Sequence, residues 1–424
     1  MKGSQPDLSA VGFIPPQNED IGPKNRIRKQ EVWVLLVLSL LMSFSSISTD
    51  LYLPAMPIMS RDLLAFSGGI ELTISAFLIG FSLGQLLWGP LGDRYGRKLP
   101  IMVGLILFVL GAAGCAMSAT INQLIGWRII QAIGACSGPV LARAMLRDLY
   151  SREKSAQMLS TLILVMGIAP LVGPLLGGQI LIIWSWHAIF WILAGFGGLA
   201  GIALLSIPET LSVDKRTVEP LMTAFKDYFV QLKNPQLIGY IASGAFFYAG
   251  IYAYVAGSPA VYIDFYHVSP QAYGWLFALN VMGLMVINLF NSQLVLKLGI
   301  DRLFYIGTWV TAASGIMLVV NVWFRLGGIA GVAVPLLIFI AMNGLIVANS
   351  VASALDLAPQ KAGTTSSLIG AMHYGSGVIS AAILSVFADG TPWAMSAIIA
   401  VAGIGSLVSA TLLRQSRKHN GYRN

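Results

Sequence analysis

Long apolar segments alternate with short polar stretches along most of this chain of 424 residues. Because a helix needs roughly 20 apolar residues to cross a bilayer, each long apolar segment predicts a membrane-spanning helix. The spans that this pattern predicts are residues 33–58, 71–90, 99–118, 123–147, 158–181, 186–207, 236–258, 272–296, 303–323, 329–354, 364–387 and 393–413. The pattern therefore predicts an all-α integral membrane protein with twelve transmembrane helices.

Polar stretches divide these spans into two sets of six, which predicts two six-helix bundles. The connection between the sets is rich in charge, and residues 219–233 within it predict a helix on the membrane surface. The predicted domains are a polar tail, a bundle, a cytoplasmic linker, a second bundle and a second tail, at residues 1–32, 33–207, 208–235, 236–413 and 414–424.

The two bundles also resemble each other in sequence. Residues 54–58 read Pro-Ala-Met-Pro-Ile near the end of the first span, and residues 259–263 read Pro-Ala-Val-Tyr-Ile near the end of the seventh. Gly96 aligns with Gly299 in the same comparison. Matches at corresponding positions favour an internal duplication, which is the architecture of many secondary transporters.

Composition and charge fit a membrane setting. The chain is 56% hydrophobic and 10% charged, and nearly all of its 26 Lys and Arg residues lie in the tails, in even-numbered connections or at helix ends on that side. By the positive-inside rule, both termini are cytoplasmic. The net charge of +8 is then a topology signal, and no basic soluble module for nucleic acid is visible. Cys115 and Cys136 both lie in apolar helices, and the histidines lack metal-ligand spacing.

Polar residues inside the membrane are the first functional signal. Asp50 in the first span and Arg128 in the fourth lie at similar depth, roughly 12 Å and 9 Å from the outer helix ends. We expect them to meet, directly or through water, if their helices are neighbours, and Gln131 extends the same face of the fourth span. A lone carboxylate in hydrocarbon costs about 3 kcal/mol or more, so it needs a wet cavity, a cation or a proton. The alternatives are an aspartate that caps the helix before Pro54 and an arginine that snorkels to solvent.

A charged turn between the second and third spans is the second signal. Residues 89–98 read Gly-Pro-Leu-Gly-Asp-Arg-Tyr-Gly-Arg-Lys, and their glycines permit a tight turn. The alternative is an ordinary basic loop on the cytoplasmic side. The predicted gating residues are Gly89, Asp93, Arg94, Gly96, Arg97 and Lys98.

A run of small residues in the fifth span is the third signal. Glycines leave little side-chain bulk and prolines remove backbone donors, so this helix can kink and let another helix approach closely. We expect a tight but reversible seal there, the alternative being a generic packing face. The residues of this motif are Gly167, Pro170, Gly173, Pro174, Gly177 and Gly178.

These three signals resemble motifs of the major facilitator superfamily. The turn at 89–98 resembles its loop signature, the pattern from Arg128 to Ala132 resembles its fourth-helix motif, and the fifth span resembles its antiporter motif. Together with the sequence from Asp50 to Pro57, they resemble the twelve-span drug/proton antiporters, and most of all the bicyclomycin-resistance (Bcr/CflA) branch.

The resemblance implies a proton-coupled exporter of small antibiotics of the bicyclomycin, sulfonamide or phenicol type in a bacterial inner membrane. It implies a monomer with the proton as coupling ion and no other cofactor. The loop around Asp93 would hold the outward-open state by pairing across the halves, near Arg147 and Asp148. An exporter or facilitator of a small metabolite is the alternative. A membrane enzyme is disfavoured because no nucleophile–base pair or metal cluster is visible.

The resemblance also implies that spans one, four, seven and ten line a central cavity. Phe247, Ile251 and Tyr254 form one aromatic stripe on the seventh span, suited to flat apolar drugs, and Tyr248 and Tyr252 form a competing stripe. His373 is interpreted as a core histidine without a role in proton transfer. The predicted substrate-binding residues are Asp50, Met166, Phe247, Ile251, Tyr254, Asn280, Asn343 and Asn349.

Overall fold

The computed structural model describes residues 23–150, 152–217, 226, 228–358 and 362–419, and these residues form helices without any β-strand. The α-helices are α1 (Pro23–Asp50), α2 (Met56–Asp62), α3 (Glu71–Tyr95), α4 (Lys98–Ala116), α5 (Ile121–Leu149), α6 (Arg152–Ile183), α7 (Trp186–Leu205), α8 (Pro235–Pro259), α9 (Pro270–Leu298), α10 (Ile300–Trp323), α11 (Gly328–Ala341), α12 (Asn343–Asp356), α13 (Ala362–Val386) and α14 (Trp393–His419).

These helices confirm the predicted membrane class. In the described part of the chain, eleven spans are long and apolar enough to cross a bilayer, and α6 adds a shorter apolar stretch over Gly167–Ile183. The first span joins α1 and α2 through a 3₁₀ turn at Leu53–Ala55, and the tenth span joins α11 and α12 at Met342. The first helix begins at Pro23, upstream of the predicted start at residue 33.

The predicted surface helix of the linker is described only in part. Residues 226 and 228–231 are helical, and Phe229 is exposed, as a side chain facing lipid would be. Leu221 and Phe225, which we expected on the same face, lie outside the described residues.

The helices pack as two bundles. In the first half, α5 packs on α1, α3 and α4, and α4 also packs on α7. In the second half, α8 packs on α13 and α14, and α10 packs on α14. The halves meet mainly through two helix pairs, α3 with α13 and α6 with α9. A site between the halves is therefore flanked by α3, α6, α9 and α13.

The two halves break their regular helices at matching places. The first span has its 3₁₀ turn at Leu53–Ala55, and the seventh span ends in a π-helix at Ala260–Phe265. Gly96 and Gly299 end α3 and α9 with φ of 90° and 79°, values that favour glycine. Both pairs correspond to the sequence matches, which is what an internal duplication produces.

The halves touch at one end of the bundle in particular. We call the side that holds the start of α1 and the end of α14 the tail face, and the other side the opposite face. At the opposite face, the Ser67 hydroxyl donates to the carbonyl of Ala388 at 2.7 Å, and the Gln271 amide donates to the carbonyl of Gly178 at 3.3 Å. These bonds join the two halves at that end.

Candidate functional site

Arg128 is fully buried in the first half, on α5. Its Nη1 donates to the carbonyl of Ser48 at 3.0 Å and to Gln131 Oε1 at 2.7 Å. Its guanidinium also lies 4.4 Å from the ring centroids of both Tyr52 and Phe77, which is cation–π distance. The structure thus places Arg128 and Gln131 on one face of α5, as the helix spacing predicts, and Arg128 contacts the first span.

Asp50 is the last residue of α1, and only 6% of it is exposed. Its Oδ1 accepts a hydrogen bond from the Thr49 hydroxyl at 3.0 Å. Among the described residues, Asp50 and Arg128 form no ion pair within 4.0 Å, so the direct contact that we considered is absent. The reason is local: the Ser48 carbonyl and aromatic rings surround the guanidinium. A contact through water stays a prediction.

The glycines of the fifth-span motif bring α6 against the first span. A Cβ on Gly173 would lie 3.0 Å from the Cβ of Asp50, and a Cβ on Gly177 would overlap the carbonyl oxygen of Leu51. The close approach that the motif predicts is therefore present beside the buried carboxylate. The helix stays continuous through the two prolines of the motif, Pro170 and Pro174.

The same motif also contacts the second half of the molecule. A Cβ on Gly178 would lie 3.0 Å from the carbonyl oxygen of Pro270 on α9, and a Cβ on Gly167 would lie 3.6 Å from Met285 Cε. The small residues of α6 thus form a seam between the first span and α9. This is the geometry that a seal between the halves requires.

The charged turn after α3 is held by ion pairs of Arg97. This guanidinium contacts Asp93 Oδ1 at 2.6 Å and Asp148 Oδ2 at 2.8 Å. Asp148 lies at the end of α5, so these bonds stay within the first half. The prediction that the turn pairs across the halves near Asp148 is wrong in this conformation, because α5 belongs to the same bundle as α3.

Three other residues of the turn have simpler surroundings. Arg94 is exposed and lies 5.7 Å from the ring centroid of Tyr95. Gly96 provides the positive φ that ends α3. Gly89 approaches the second half, since a Cβ there would lie 3.7 Å from the Ser367 hydroxyl oxygen on α13.

Glu209, which follows α7, contacts this turn in a way that our sequence reasoning did not predict. Its carboxylate accepts hydrogen bonds from the backbone amides of Arg97 at 2.8 Å and Lys98 at 3.1 Å, at the start of α4. Partial burial alone would raise the pKa of Glu209, but backbone hydrogen bonds, that of Arg97 first, outweigh it and lower the pKa. Lys98 Nζ adds bonds to the carbonyls of Leu205 and Ile207 at 3.0 Å and 2.8 Å. The turn is therefore tied to the end of α7.

Most of the predicted substrate-binding residues of the second half lie inside that half. Phe247 is fully buried and stacks on Phe339 with ring centroids 5.4 Å apart. Tyr254 accepts a hydrogen bond from Asn280 Nδ2 at 2.9 Å, and both residues are buried. Ile251 is partly buried. The expectation that Phe247 and Tyr254 face the space between the halves is therefore wrong, because both pack on helices of their own bundle.

The amides of the tenth span are placed differently from each other. Asn349 is buried and donates to Asn291 Oδ1 at 2.8 Å, so it is satisfied inside the second half. Asn343 is partly buried at the start of α12. The side chain of Met166 lies outside the described residues.

The competing stripe on α8, Tyr248 and Tyr252, lies close to a tyrosine of α13. Tyr248 and Tyr252 lie 6.2 Å and 5.8 Å from the ring of Tyr374 on α13, and we call these three residues the tyrosine cluster. The Tyr374 ring also lies 4.4 Å from the ring of Phe81 on α3, which places the cluster between the halves. His373 is buried and stacks on Tyr248 at 4.4 Å, as expected of a core histidine.

Arg143 is a second residue that sequence reasoning missed. It lies on α5 and is only partly exposed. Its Nε donates to the carbonyl of Pro139 at 2.8 Å. Its position inside the predicted span 123–147 is the signal that identifies it.

The architecture and motifs agree with a family comparison. The family model for the Major Facilitator Superfamily matches residues 38–382 of this chain. The chain belongs to this superfamily. It is 31% identical to a bicyclomycin resistance protein homolog of Haemophilus influenzae, over 83% of this chain and 88% of that protein. It is 27% identical to multidrug resistance protein D of Escherichia coli, over 83% and 89%.

A solved structure supports the fold of this superfamily member. The xylose transporter XylE of E. coli, in a partially occluded inward-open conformation, is similar with a TM-score of 0.71 and 14% identity, over 91% of this chain and 97% of that one. This likeness concerns the fold alone. The family match and the relatives identify the chain as a membrane transporter of the Major Facilitator Superfamily and not an enzyme.

Proposed function

We propose that this transporter exports small antibiotics from a bacterial cell in exchange for protons, by alternating access across the inner membrane. The names of its relatives support the substrate class, since one is a bicyclomycin resistance protein homolog and another a multidrug resistance protein. Substrates of the bicyclomycin, sulfonamide or phenicol type follow from that likeness. The tail face is then cytoplasmic, and the transporter acts as a monomer.

The environment of Asp50 is the observation that carries the coupling. The carboxyl is 6% exposed, has no ion-pair partner among the described residues, and packs beside the Gly173 backbone of the seam. A carboxylate in such a place is costly unless it takes up a proton. Movement of α6 would change the surroundings of the Asp50 carboxyl directly. Protonation of Asp50 is therefore coupled to opening of the seam.

The transport cycle follows from these two features. A drug entering from the tail face competes with the proton on Asp50, the halves rock, and the contacts at the opposite face separate. The drug leaves on that side, and Asp50 is protonated again there. One elementary charge that moves through 100 mV provides about 2.3 kcal/mol, before any pH gradient is counted.

The test is drug-dependent proton release by the purified transporter. We expect wild-type protein to release protons when a transported drug binds, and Asp50→Asn to bind drug without releasing them. Asp356→Asn is the matched control, because Asp356 is an exposed carboxylate at the end of α12. Equal release and equal transport in Asp50→Asn and wild type would refute the assigned role.

The direction of transport is tested separately. In vesicles of known orientation, we expect drug to move from the tail side to the opposite side when a proton gradient is imposed, and a protonophore to stop it. Movement that follows only the drug's own gradient would indicate a facilitator instead.

A further inference from the structure

A cavity of about 200 Å³ lies between the two halves at the opposite face. Its walls come from α2 and the start of α3 in the first half, and from the end of α8 and the adjoining ends of α13 and α14 in the second. Ser67 and Ala388, which share a hydrogen bond between the halves, both line it. Phe66 and Asp264 in the lining are exposed, so the cavity is open to that face. A water molecule takes about 30 Å³ of liquid, so the space admits several waters or one small organic ion.

Glu71 places a buried carboxyl group in the wall of this cavity, at the first residue of α3. The residue is 6% exposed, and its Oε2 is buried without a hydrogen-bond partner among the described residues. No described cation lies within the ion-pair distance of 4.0 Å from Glu71. Because an unpaired charge is costly to bury, this carboxyl needs either a proton or a cation beside it. The coupling proposed at Asp50 makes no use of Glu71.

Asp264 adds a second carboxylate to the same cavity, from the other half. It lies in the π-helix that follows α8, and it also forms no ion pair within the described ranges. The exposed Arg61 and His267 lie outside the lining, and Arg61 Nε donates to the carbonyl of Pro57 at 3.1 Å. The ionisable side chains that line the described cavity are therefore two acids, one from each half, which favours a positively charged ligand.

The rest of the wall indicates an organic cation rather than a metal ion. A calcium site takes six to eight oxygen ligands, and the described residues contain no group of three acidic, histidine or cysteine side chains that could hold a metal. Apolar side chains line much of the cavity and include Met56, Pro57, Ile70, Pro259, Leu384 and Met395. Phe66 adds an aromatic ring, which attracts a cation through its face. Two carboxylates in an apolar wall suit an ammonium group on a small apolar body.

We propose that this cavity binds small organic ammonium ions between Glu71 and Asp264, and that the bound ion holds the halves together at the opposite face. The ammonium group donates to the two carboxylates, and the apolar body packs against the apolar wall. Charge-assisted hydrogen bonds of this kind are about twice as strong as neutral ones. The site is separate from the coupling acid Asp50, so it adds a second ligand to the transporter.

The effect on the halves follows from where the walls come from. A ligand shifts a conformational equilibrium only towards the state that it binds better. An ion that contacts Glu71 and Asp264 together binds better while the halves meet at the opposite face, and it loses one wall when they separate. The bound ion should therefore slow the cycle. This effect, unlike the binding, rests on the alternating access of the proposed function.

The first test compares two ligands of similar size and different charge. Isothermal titration calorimetry on the purified full-length protein at neutral pH measures the affinity for benzylammonium and for benzyl alcohol. We expect wild-type protein to bind benzylammonium about tenfold more tightly, a difference of 1.4 kcal/mol. Equal affinities, or no binding of benzylammonium, would overturn the proposal without any mutation.

Variants then assign the preference to this cavity. We expect Glu71→Gln to bind the two ligands equally, because it keeps the shape of the side chain and removes its charge. Asp356→Asn, which changes an exposed carboxylate at the end of α12, should keep the wild-type preference. Asp50→Asn should keep it as well. A preference that survives in Glu71→Gln and disappears in Asp50→Asn would locate the cation at the coupling acid and overturn the proposal.

A further variant keeps the assignment testable if Glu71→Gln does not fold. Asp264 is exposed, so Asp264→Asn leaves the packing intact, and we expect it to weaken benzylammonium binding several-fold with little effect on benzyl alcohol. Unchanged binding of both ligands in Asp264→Asn would contradict the shared site.

The second test measures drug transport into proteoliposomes with and without benzylammonium. We expect the ion to slow transport by wild-type protein severalfold, and to leave the rate of Glu71→Gln at its own value without the ion. Wild-type transport that is unchanged when the site is saturated would overturn the effect on the halves. The calorimetry needs neither transport nor proton release, so a failure of the proposed function appears separately, in the proton-release experiment on Asp50→Asn.

Discussion

The two halves of this transporter share a scaffold but differ in the polar groups that it buries. The first half buries Arg128 and Asp50, whereas the second buries amide pairs such as Asn349 with Asn291. Ionised groups inside a membrane cost more than neutral amides and are kept where they have a function. The matched helix breaks indicate that both halves kept the duplicated architecture. Among the buried groups named here, the charged ones lie in the first half.

The turns after α3 and α9 differ in the same way. In the first half, Arg97 binds both Asp93 and Asp148 through ion pairs. In the second half, Asp301 accepts a hydrogen bond from the Tyr240 hydroxyl at 2.9 Å. Both turns share a glycine with positive φ, so the backbone geometry was retained while the contacts around it differ. We therefore expect perturbations of the first half to affect transport and matched perturbations of the second to affect mainly stability.

Arg128→Leu should have the largest effect. The substitution removes the cation that holds the Ser48 carbonyl, Gln131 and the surrounding rings, so we expect drug transport into proteoliposomes to fall to the level of empty liposomes. Asn349→Leu is the matched change in the second half. It leaves the buried Asn291 without its partner, which costs about 1–3 kcal/mol of stability, and transport should continue. Comparable loss of transport in both variants would remove the functional contrast between the halves.

Gly177→Ala should have the next largest effect. The new methyl group overlaps the carbonyl oxygen of Leu51, and overpacking of this kind costs about 1–3 kcal/mol. We expect a lower rate of drug transport, because the methyl group pushes α6 away from the first span, and a lower temperature of thermal unfolding.

Gly375→Ala on α13 is the control for this seam. A Cβ there would lie 3.6 Å from the Ser82 hydroxyl oxygen, an ordinary contact, so transport and unfolding should change little. An equally active Gly177→Ala protein would show that the close contact of α6 with the first span does not limit the cycle.

Glu209→Gln should have the smallest effect. Because the folded protein lowers the pKa of Glu209 below its ordinary value of 4.5, the ionised carboxylate stabilises the fold above that value and loses its effect as the pH falls through the lowered pKa. We expect thermal unfolding of the variant to be a few degrees lower at pH 7. The difference from wild type should shrink progressively below pH 4.5. A difference independent of pH would mean that the charge of Glu209 has no part in holding the turn.

Much of the scaffold could be predicted from the sequence because membranes constrain helices strongly. Apolar length identified the spans, and Pro54 and Gly96 marked the first helix break and the tight turn. Proline restricts the backbone and lacks a donor, whereas glycine permits the positive φ of the turn. The proximity of Arg128 to Gln131 followed from helix spacing alone. These predictions depend on local rules, and the structure agrees with them.

The orientation of helices about their own axes was harder to predict. Phe247 and Tyr248 are adjacent on α8, about 100° apart around the helix, and both are aromatic. In a membrane protein, apolar residues cover both the faces that pack on other helices and the face that contacts lipid. Polarity therefore does not show which face of a helix points to the space between the halves. The direct ion pair between Asp50 and Arg128 is absent for a related reason. Depth could be estimated from the sequence, but the competing Ser48 carbonyl and aromatic rings could not.

The aromatic setting of Arg128 has one more consequence. Ring faces and uncharged oxygens contact this cation, and no carboxylate pairs with it among the described residues. These contacts do not require the neighbouring acid to be ionised. An aromatic cage of this kind lets a buried arginine stay charged beside a carboxyl group that gains and loses a proton.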